Sequence, residues 1–379
     1  MLSKVIGQEA AKKQILTAFA NDRMAHAYLI AGDEGLGAEE LALEATRFIL
    51  CKHPDRERWE PCGECANCKK MATLQHPDVH YYFPVMRATE EDEQRRLLEE
   101  KTRNLYARVR IANGSIPIGD PENPEVNSIR WLSRAISLRS FEGELKIFIL
   151  TFIEDMHAEA TNAVLKILEE PPASTLYFLT TTNIHSLLPT IISRCQIVKL
   201  HRLTDDQLLD GIRRHYDVAE NQAKFISRLA NGNYYQASEL ISGDFPRKRE
   251  AMLEFLLAAM SNKSASIQTI IEQWNEEAEK DKSFYTDILT MLITWFQDVV
   301  YMRELGEDKS LIDRFLINED KTERLEKFIK AFPRVRVEEA LSEIEKAVDL
   351  IGRNIYINLI LMNLGLNLRS IVNPSSGKS

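Results

Sequence analysis

Apolar positions in the first 203 residues follow two alternating patterns. Short, largely apolar runs occur at 27–31, 79–83, 147–150, 176–179 and 197–200, interrupted only by His80 and Lys199. Between them, apolar residues recur at helical spacing. Residues 5–20 offer Ile6, Ala10, Ile15 and Phe19 to a core, and 41–50 form a second helical stretch. In a third, Met156, Ala160, Ala163, Val164 and Ile167 make one stripe that Pro171 and Pro172 end. A strand buried on both faces reads as a continuous apolar run. Such strands separated by helices predict an α/β domain with a parallel sheet and right-handed crossovers.

Two stretches interrupt this rhythm. Residues 87–104 are dense in charge, and 112–127 carry Gly114, Pro117, Gly119, Pro121 and Pro124. Together they read as a surface insertion, a charged helix followed by an irregular loop. A domain boundary falls near Leu203. Thr204 and Gln207 then form a capping box, with Thr204 as N-cap. Beyond it the pattern is helical throughout, predicting a small helical domain over 204–246 and an all-helical domain over 247–370. Amphipathic segments at 284–305 and 337–364 belong to the latter. Residues 371–379 read as a disordered tail.

Charge and cysteine usage narrow the function classes. The net charge of −9 over 379 residues is unlike that of a free-standing, strongly basic DNA-binding domain. Contact with DNA would then need a local patch or a larger assembly. No apolar run reaches the roughly 18–20 residues that span a bilayer, and the first residues lack the apolar core of a signal peptide, so a cytoplasmic protein is expected. Four of the five cysteines, Cys51, Cys62, Cys65 and Cys68, cluster, which in a chain without an export signal reads as metal binding. Four thiolates suit tetrahedral Zn²⁺, and Lys52, Arg56, Arg58, Lys69 and Lys70 would offset their charge. The tight C-x-x-C-x-x-C is also compatible with an iron–sulfur site.

The first run leads into Gly32-Asp33-Glu34-Gly35-Leu36-Gly37-Ala38-Glu39. A phosphate-binding loop requires G-x-x-x-x-G-K-[ST] between strand and helix. The frame is present, but Ala38 stands at the lysine position and Glu39 at the hydroxyl position. Glu39 and Glu40 place carboxylates at the helix N-terminus, where phosphate would sit, and satisfy the helix dipole without a nucleotide. Alone, this reads first as an ordinary Gly-rich strand–helix turn.

The stretch Asn162-Ala163-Val164-Leu165-Lys166-Ile167-Leu168-Glu169-Glu170-Pro171-Pro172 resembles the N-A-L-L-K-x-L-E-E-P-P signature of the clamp-loader subunits of bacterial DNA polymerase III, a branch of the AAA+ proteins. Ser193-Arg194-Cys195 matches the S-R-C motif of that family, and the cysteine cluster falls where the family carries a zinc module. The resemblance runs from Val5-Ile6-Gly7-Gln8 through Cys195 and implies an AAA+ core over 1–203, a helical lid over 204–246 and a helical collar over 247–370. It also implies zinc in a structural role.

Departures from the family's active members decide the type. Thr151 and Phe152 stand where those members carry Asp and Glu, and Glu154 and Asp155 are out of register. Tyr235 stands where a second-sensor Arg is expected. Thr180 to Asn183 occupy the first sensor region. Both halves of the hydrolytic site thus read as lost, which implies the non-hydrolysing δ′ type.

By resemblance Arg194 is an arginine finger acting in trans on a neighbouring τ/γ subunit, and Cys195 is structural. The implied assembly is a five-subunit ring with τ/γ and δ that opens a sliding clamp for primer–template DNA. Arg130, Arg134 and Arg139, on or beside the helix before the third strand, read equally as DNA-facing or as a solvated basic face. Two rival readings are an ATP-hydrolysing τ/γ-type subunit and a zinc-dependent interaction protein unrelated to replication.

Overall fold

The computed structural model describes the chain apart from residues 87, 88, 90, 112, 123, 143, 144, 262, 263, 281, 282, 306–314, 352–355 and 374–379. Its contacts divide it into two compact units, Met1–Gln207 with Gly232–Tyr235, and Leu208–Asn231 with Gln236–Ser379.

In the first unit, β1 (Ala27–Ala31), β2 (Val79–Tyr82), β3 (Lys146–Leu150), β4 (Thr175–Thr181) and β5 (Gln196–Lys199) form one parallel sheet in the order β2-β3-β4-β1-β5. Side chains alternate across it. Tyr28, Ile30, Ile147, Ile149 and Phe178 face one layer, with Leu41, Ala45 and Phe48 of α2 (Ala38–Ile49) and Ile15 and Leu16 of α1 (Glu9–Ala20). Ala27, Leu29, Phe148, Leu150, Tyr177 and Leu179 face the other. There they meet Ile129 and Leu132 of α5 (Ile129–Ser137), and Ala160, Val164 and Leu168 of α6 (Ala158–Glu169). Both faces of the central strands β1, β3 and β4 are covered, which is why these lack a polar alternation, whereas edge strand β5 leaves Gln196 and Lys199 exposed.

The remaining helices of this unit are α3 (Ala66–Ala72), α4 (Glu91–Arg103), α7 (Pro189–Ile192) and the start of α8 (Asp205–His215). The capping box is reciprocal: Gln207 N–H donates to Thr204 Oγ1 at 3.2 Å and Thr204 N–H to Gln207 Oε1 at 3.0 Å. α1 differs from expectation. Gln8 is left-handed (φ 61°), so the helix begins at Glu9, Ala10 is exposed, and the buried positions are Ala11, Lys12, Ile15 and Leu16.

The described part of the second unit is helical. Phe255, Ile288, Leu292, Phe296, Ile344 and Leu361 lie in its interior. The expected helix over 337–364 is two helices, Val337–Ile351 and Ile357–Val372; of the expected tail over 371–379, Ile371 and Val372 are buried in the last helix, and residues 374–379 lie outside the described residues. A buried polar chain ties this unit together. The Asp298 carboxylate accepts from the N–H groups of Ile317 and Asn318 at 2.9 and 2.7 Å. Arg249 donates to Asn318 Oδ1 at 2.9 Å, forks onto Asp320, and lies 4.2 Å over the Phe225 ring.

Candidate functional site

The loop after β1 lies at the carboxyl edge of the sheet, where open α/β folds place their ligands. Gly35 (φ 86°) and Gly37 (φ 96°) are left-handed, a region that suits glycine. A Cβ on Gly35 would strike Asn233 Oδ1 and Tyr235 Cβ. Asn233 Nδ2 donates to the Glu34 carbonyl at 2.7 Å, so segment 232–235 rests directly on the loop. Gln8 Nε2 braces the loop from the other side, donating to the carbonyls of Leu36 and His201 at 3.0 and 2.7 Å.

Ala38 opens α2, and Glu39 and Glu40 follow in its first turn, both buried. Their counter-ion is Lys101 of α4. Its side chain is 1% exposed and its ammonium lies 2.9 Å from Glu40 and 3.6 Å from Glu39. It also donates to the Ala107 carbonyl at 3.1 Å. Burial pushes the Glu39 carboxyl above its ordinary range despite Lys101, and Tyr81 Oη donates to it. Burial pulls the Lys101 ammonium down, but the two carboxylates outweigh it and hold it above its usual value.

The chain after α4 continues into the same space. Tyr106 Oη accepts the Ile6 N–H at 2.7 Å, and its ring packs 4.5 Å from that of Tyr234. Arg108 pairs with Glu34 at 2.7 Å, donates to Tyr235 Oη at 3.0 Å and covers the Tyr235 ring. Arg110 meets Glu34 at 3.2 Å and makes a bidentate contact with Asp155 at 2.8 and 2.9 Å. It also lies 4.5 Å over the Phe152 ring. The cavity left is about 30 Å³. The 87–127 stretch is therefore not only a surface insertion. Its charged helix forms as expected, but Lys101, Tyr106, Val109 and Ile116 are buried.

The ends of β3 and β4 carry no open acid here. Thr151 is fully buried, and Phe152 is buried and left-handed (φ 51°), its N–H donating to Thr180 Oγ1 at 3.0 Å. Glu154 accepts from Thr182 N–H and Oγ1 at 2.8 and 2.6 Å. Asp155 is held by Arg110, though burial still pushes its carboxyl up.

Arg194 follows α7. Its guanidinium donates to the Thr190 carbonyl at 2.9 Å and pairs with Glu169, the last residue of α6, at 2.8 Å, while about a third of the side chain stays exposed. Burial pushes the neighbouring Cys195 thiol up to about 12, which suits a packed residue rather than a ligand.

The sulfur atoms of Cys51, Cys62, Cys65 and Cys68 all lie within 4.8 Å of one another, with Cys62 and Cys68 at 3.9 Å. Tetrahedral Zn–S bonds of about 2.3 Å place sulfurs roughly 3.8 Å apart. The four therefore fit one tetrahedral ion, and such a group can hold a metal. N–H groups of Cys62, Cys65 and Cys68 point at the sulfurs of Cys51, Cys62 and Cys65. Cys65 also caps α3.

Arg130 and Arg134 lie on α5 as expected, but both turn to their own chain. Arg130 donates to the Gly119 carbonyl and lies 3.6 Å from Glu159, and Arg134 donates to the Glu122 carbonyl at 2.8 Å. Arg139, just past the helix, is exposed.

Sequence reasoning missed Lys101, Tyr106, Arg108, Arg110 and Glu169. The buried acids at 39 and 40 were the available signal, because buried carboxylates demand counter-ions.

Residues 7–204 match the family model described as DNA polymerase III, delta subunit. The δ′ subunit of DNA polymerase III from Bacillus subtilis is 27% identical over 303 residues, covering 80% of each chain. That of Escherichia coli is 26% identical over 265 residues, covering 70% of this chain and 68% of its own. The τ subunit of B. subtilis is 24% identical over 334 residues, 83% of this chain but about half, 52%, of that longer relative. With a family model matched across the whole sheet and the loop site at its edge, the chain belongs to the δ′ family of DNA polymerase III clamp-loader subunits.

Proposed function

We propose that this subunit does not hydrolyse ATP and instead lends Arg194 to the nucleotide site of a neighbouring τ/γ subunit. The observation that carries this reading is a contrast within one domain. The positions for phosphate and metal chemistry hold Ala38, Glu39, Thr151 and Phe152, while Arg194 stands partly exposed and braced by Glu169. A guanidinium supplied across an interface stabilises charge on a transferring phosphoryl group and can accelerate turnover by about 10³–10⁵.

In the same reading Cys51, Cys62, Cys65 and Cys68 hold a structural Zn²⁺, since four thiolates leave no open position for catalysis. The helices of 204–246 form a lid, and those of 247–370 a collar in a five-subunit ring with τ/γ and δ. The ring opens the sliding clamp for primer–template DNA in the cytoplasm. Arg139 is the best placed of the three α5 arginines to meet DNA, because Arg130 and Arg134 are engaged within the chain. Among the described residues no helix is long and apolar enough to cross a membrane. The similarity to τ keeps an ATP-hydrolysing subunit as the second reading, but that chemistry would have to proceed without a lysine at 38.

The test is ATPase activity of τ/γ with δ and primed DNA, with either the natural chain or Arg194→Ala added. Stimulation by the natural chain alone, with no turnover by the isolated chain, is expected. Turnover by the isolated chain, or full stimulation by Arg194→Ala, would overturn the reading.

A further inference from the structure

The cradle is filled by the chain itself. Asp33, Glu34, Glu39 and Glu40 line it and Asp155 lies beside it; three cations, Lys101, Arg108 and Arg110, answer Glu34, Glu39, Glu40 and Asp155, while Asp33 pairs with Arg202. All three cations come from residues 101–110. In a nucleotide-binding cradle the protein offers positive charge and N–H groups to an anionic ligand. Here the loop carries the anions and the inserted segment the cations. Arg110 also covers the end of β3, lying on Phe152 and fixing Asp155.

We propose that residues 101–110 are a built-in occupant of the nucleotide cradle, taking the volume and charge partners of a nucleotide and fastening segment 232–235 to the loop without ATP. This rests on the non-hydrolysing reading above and gives the insertion its role. Volume supports it: about 30 Å³ remains, against about 300–1,000 Å³ for typical small-molecule sites. Displacement is also costly. A nucleotide entering this space would separate Lys101 from Glu39 and Glu40 and meet those carboxylates with its own phosphates. Breaking a buried pair of this kind weakens binding by more than about a hundred-fold. The same segment adds to the backbone bonds that Leu203 and Gly35 make with 232–235: Tyr106 packs against Tyr234, and Arg108 lies on Tyr235 and on Glu34, whose carbonyl accepts from Asn233. In a nucleotide-driven subunit this connection would depend on ATP. Here it is covalently supplied and constant.

The experiment is amide hydrogen exchange on the full chain and two variants, with and without Mg²⁺-ATP, beside equilibrium binding of a fluorescent ATP analogue and an ATP-turnover assay. Arg108→Ala tests the charged contact at a side chain that is 40% exposed, so folding is not at risk. Tyr106→Phe removes only the hydroxyl that accepts from Ile6. In the natural chain, residues 32–40 and 232–235 are expected to be protected to the same degree with and without ATP, with no saturable analogue binding. In Arg108→Ala, exchange in both segments should rise about ten-fold while β3 and β4 are unchanged. Tyr106→Phe should show a smaller rise centred on residues 5–8. Natural exchange rates in both variants, or saturable analogue binding by the natural chain, would overturn the occupant. ATP turnover by the natural chain would instead sink the non-hydrolysing reading on which it rests.

Discussion

Replacing Lys101 with methionine isolates the charge at the centre of the filled cradle. Methionine keeps the unbranched stem and the helix preference of α4, so the main change is loss of the ammonium. That ammonium lies 2.9 Å from Glu40 and 3.6 Å from Glu39, in a pocket where the three side chains are only 1%, 9% and 11% exposed. Removing one member of a buried pair costs about 3–5 kcal/mol, because the remaining charge is left uncompensated. The lost bond to the Ala107 carbonyl adds about 1 kcal/mol. A total of about 4–6 kcal/mol is expected. Lys101→Met/Glu40→Gln removes both charges and should recover about 2 kcal/mol of it, which a double-mutant cycle reads as coupling.

The loss should also depend on pH. Burial raises the folded Glu39 carboxyl, so its contribution is present below the ordinary glutamate range and is lost as pH rises through the folded value. Lys101 opposes that rise, and its own raised ammonium keeps its contribution until strongly alkaline pH. Without it the folded Glu39 value climbs further. The gap to the natural chain should then be widest near about pH 8 and narrow by at least about 1 kcal/mol toward about pH 5. Urea unfolding of the first unit, followed at both pH values, measures this. A variant within about 1 kcal/mol of the natural chain at the higher pH, or a gap that does not narrow in acid, would refute the reasoning.

Three further outcomes follow from the geometry. Cys62→Ser should reduce bound zinc from about one ion per chain to none by chelator assay, and lower the unfolding midpoint of the first unit; full metal occupancy would dismiss the zinc assignment. Glu169→Gln keeps its shape but loses the charge that braces Arg194 at 2.8 Å, and should cut stimulation of τ/γ turnover by about three- to ten-fold. If Arg194→Ala abolishes stimulation and Glu169→Gln leaves it whole, the finger stands and the bracing does not. Gly35→Ala forces a Cβ into a left-handed position against Asn233 and Tyr235, and should cost about 2–4 kcal/mol by thermal unfolding of the first unit.

What the sequence made legible was local. The central strands were readable because β1, β3 and β4 are apolar runs buried on both faces, and the metal group because three of its cysteines share one turn-and-helix start around Cys65. The degenerate loop was readable because Ala38 and Glu39 break a pattern with fixed spacing. The filling of that loop was not, because Lys101 and Glu40 are 61 positions apart and α4 has the composition of a solvated helix, with Lys101 its single buried residue.

Each half looked sufficient alone. Two glutamates at a helix N-terminus satisfy the dipole, and a charged helix satisfies solvent. Only their burial shows that neither explanation is complete, since a helix dipole does not repay the desolvation of two adjacent carboxyls. Ala38 at the lysine position and Lys101, Arg108 and Arg110 around the loop therefore belong to one electrostatic arrangement. The positive charge sits on a segment packed against the loop, and the glutamates in the first turn of α2 are the anions it answers.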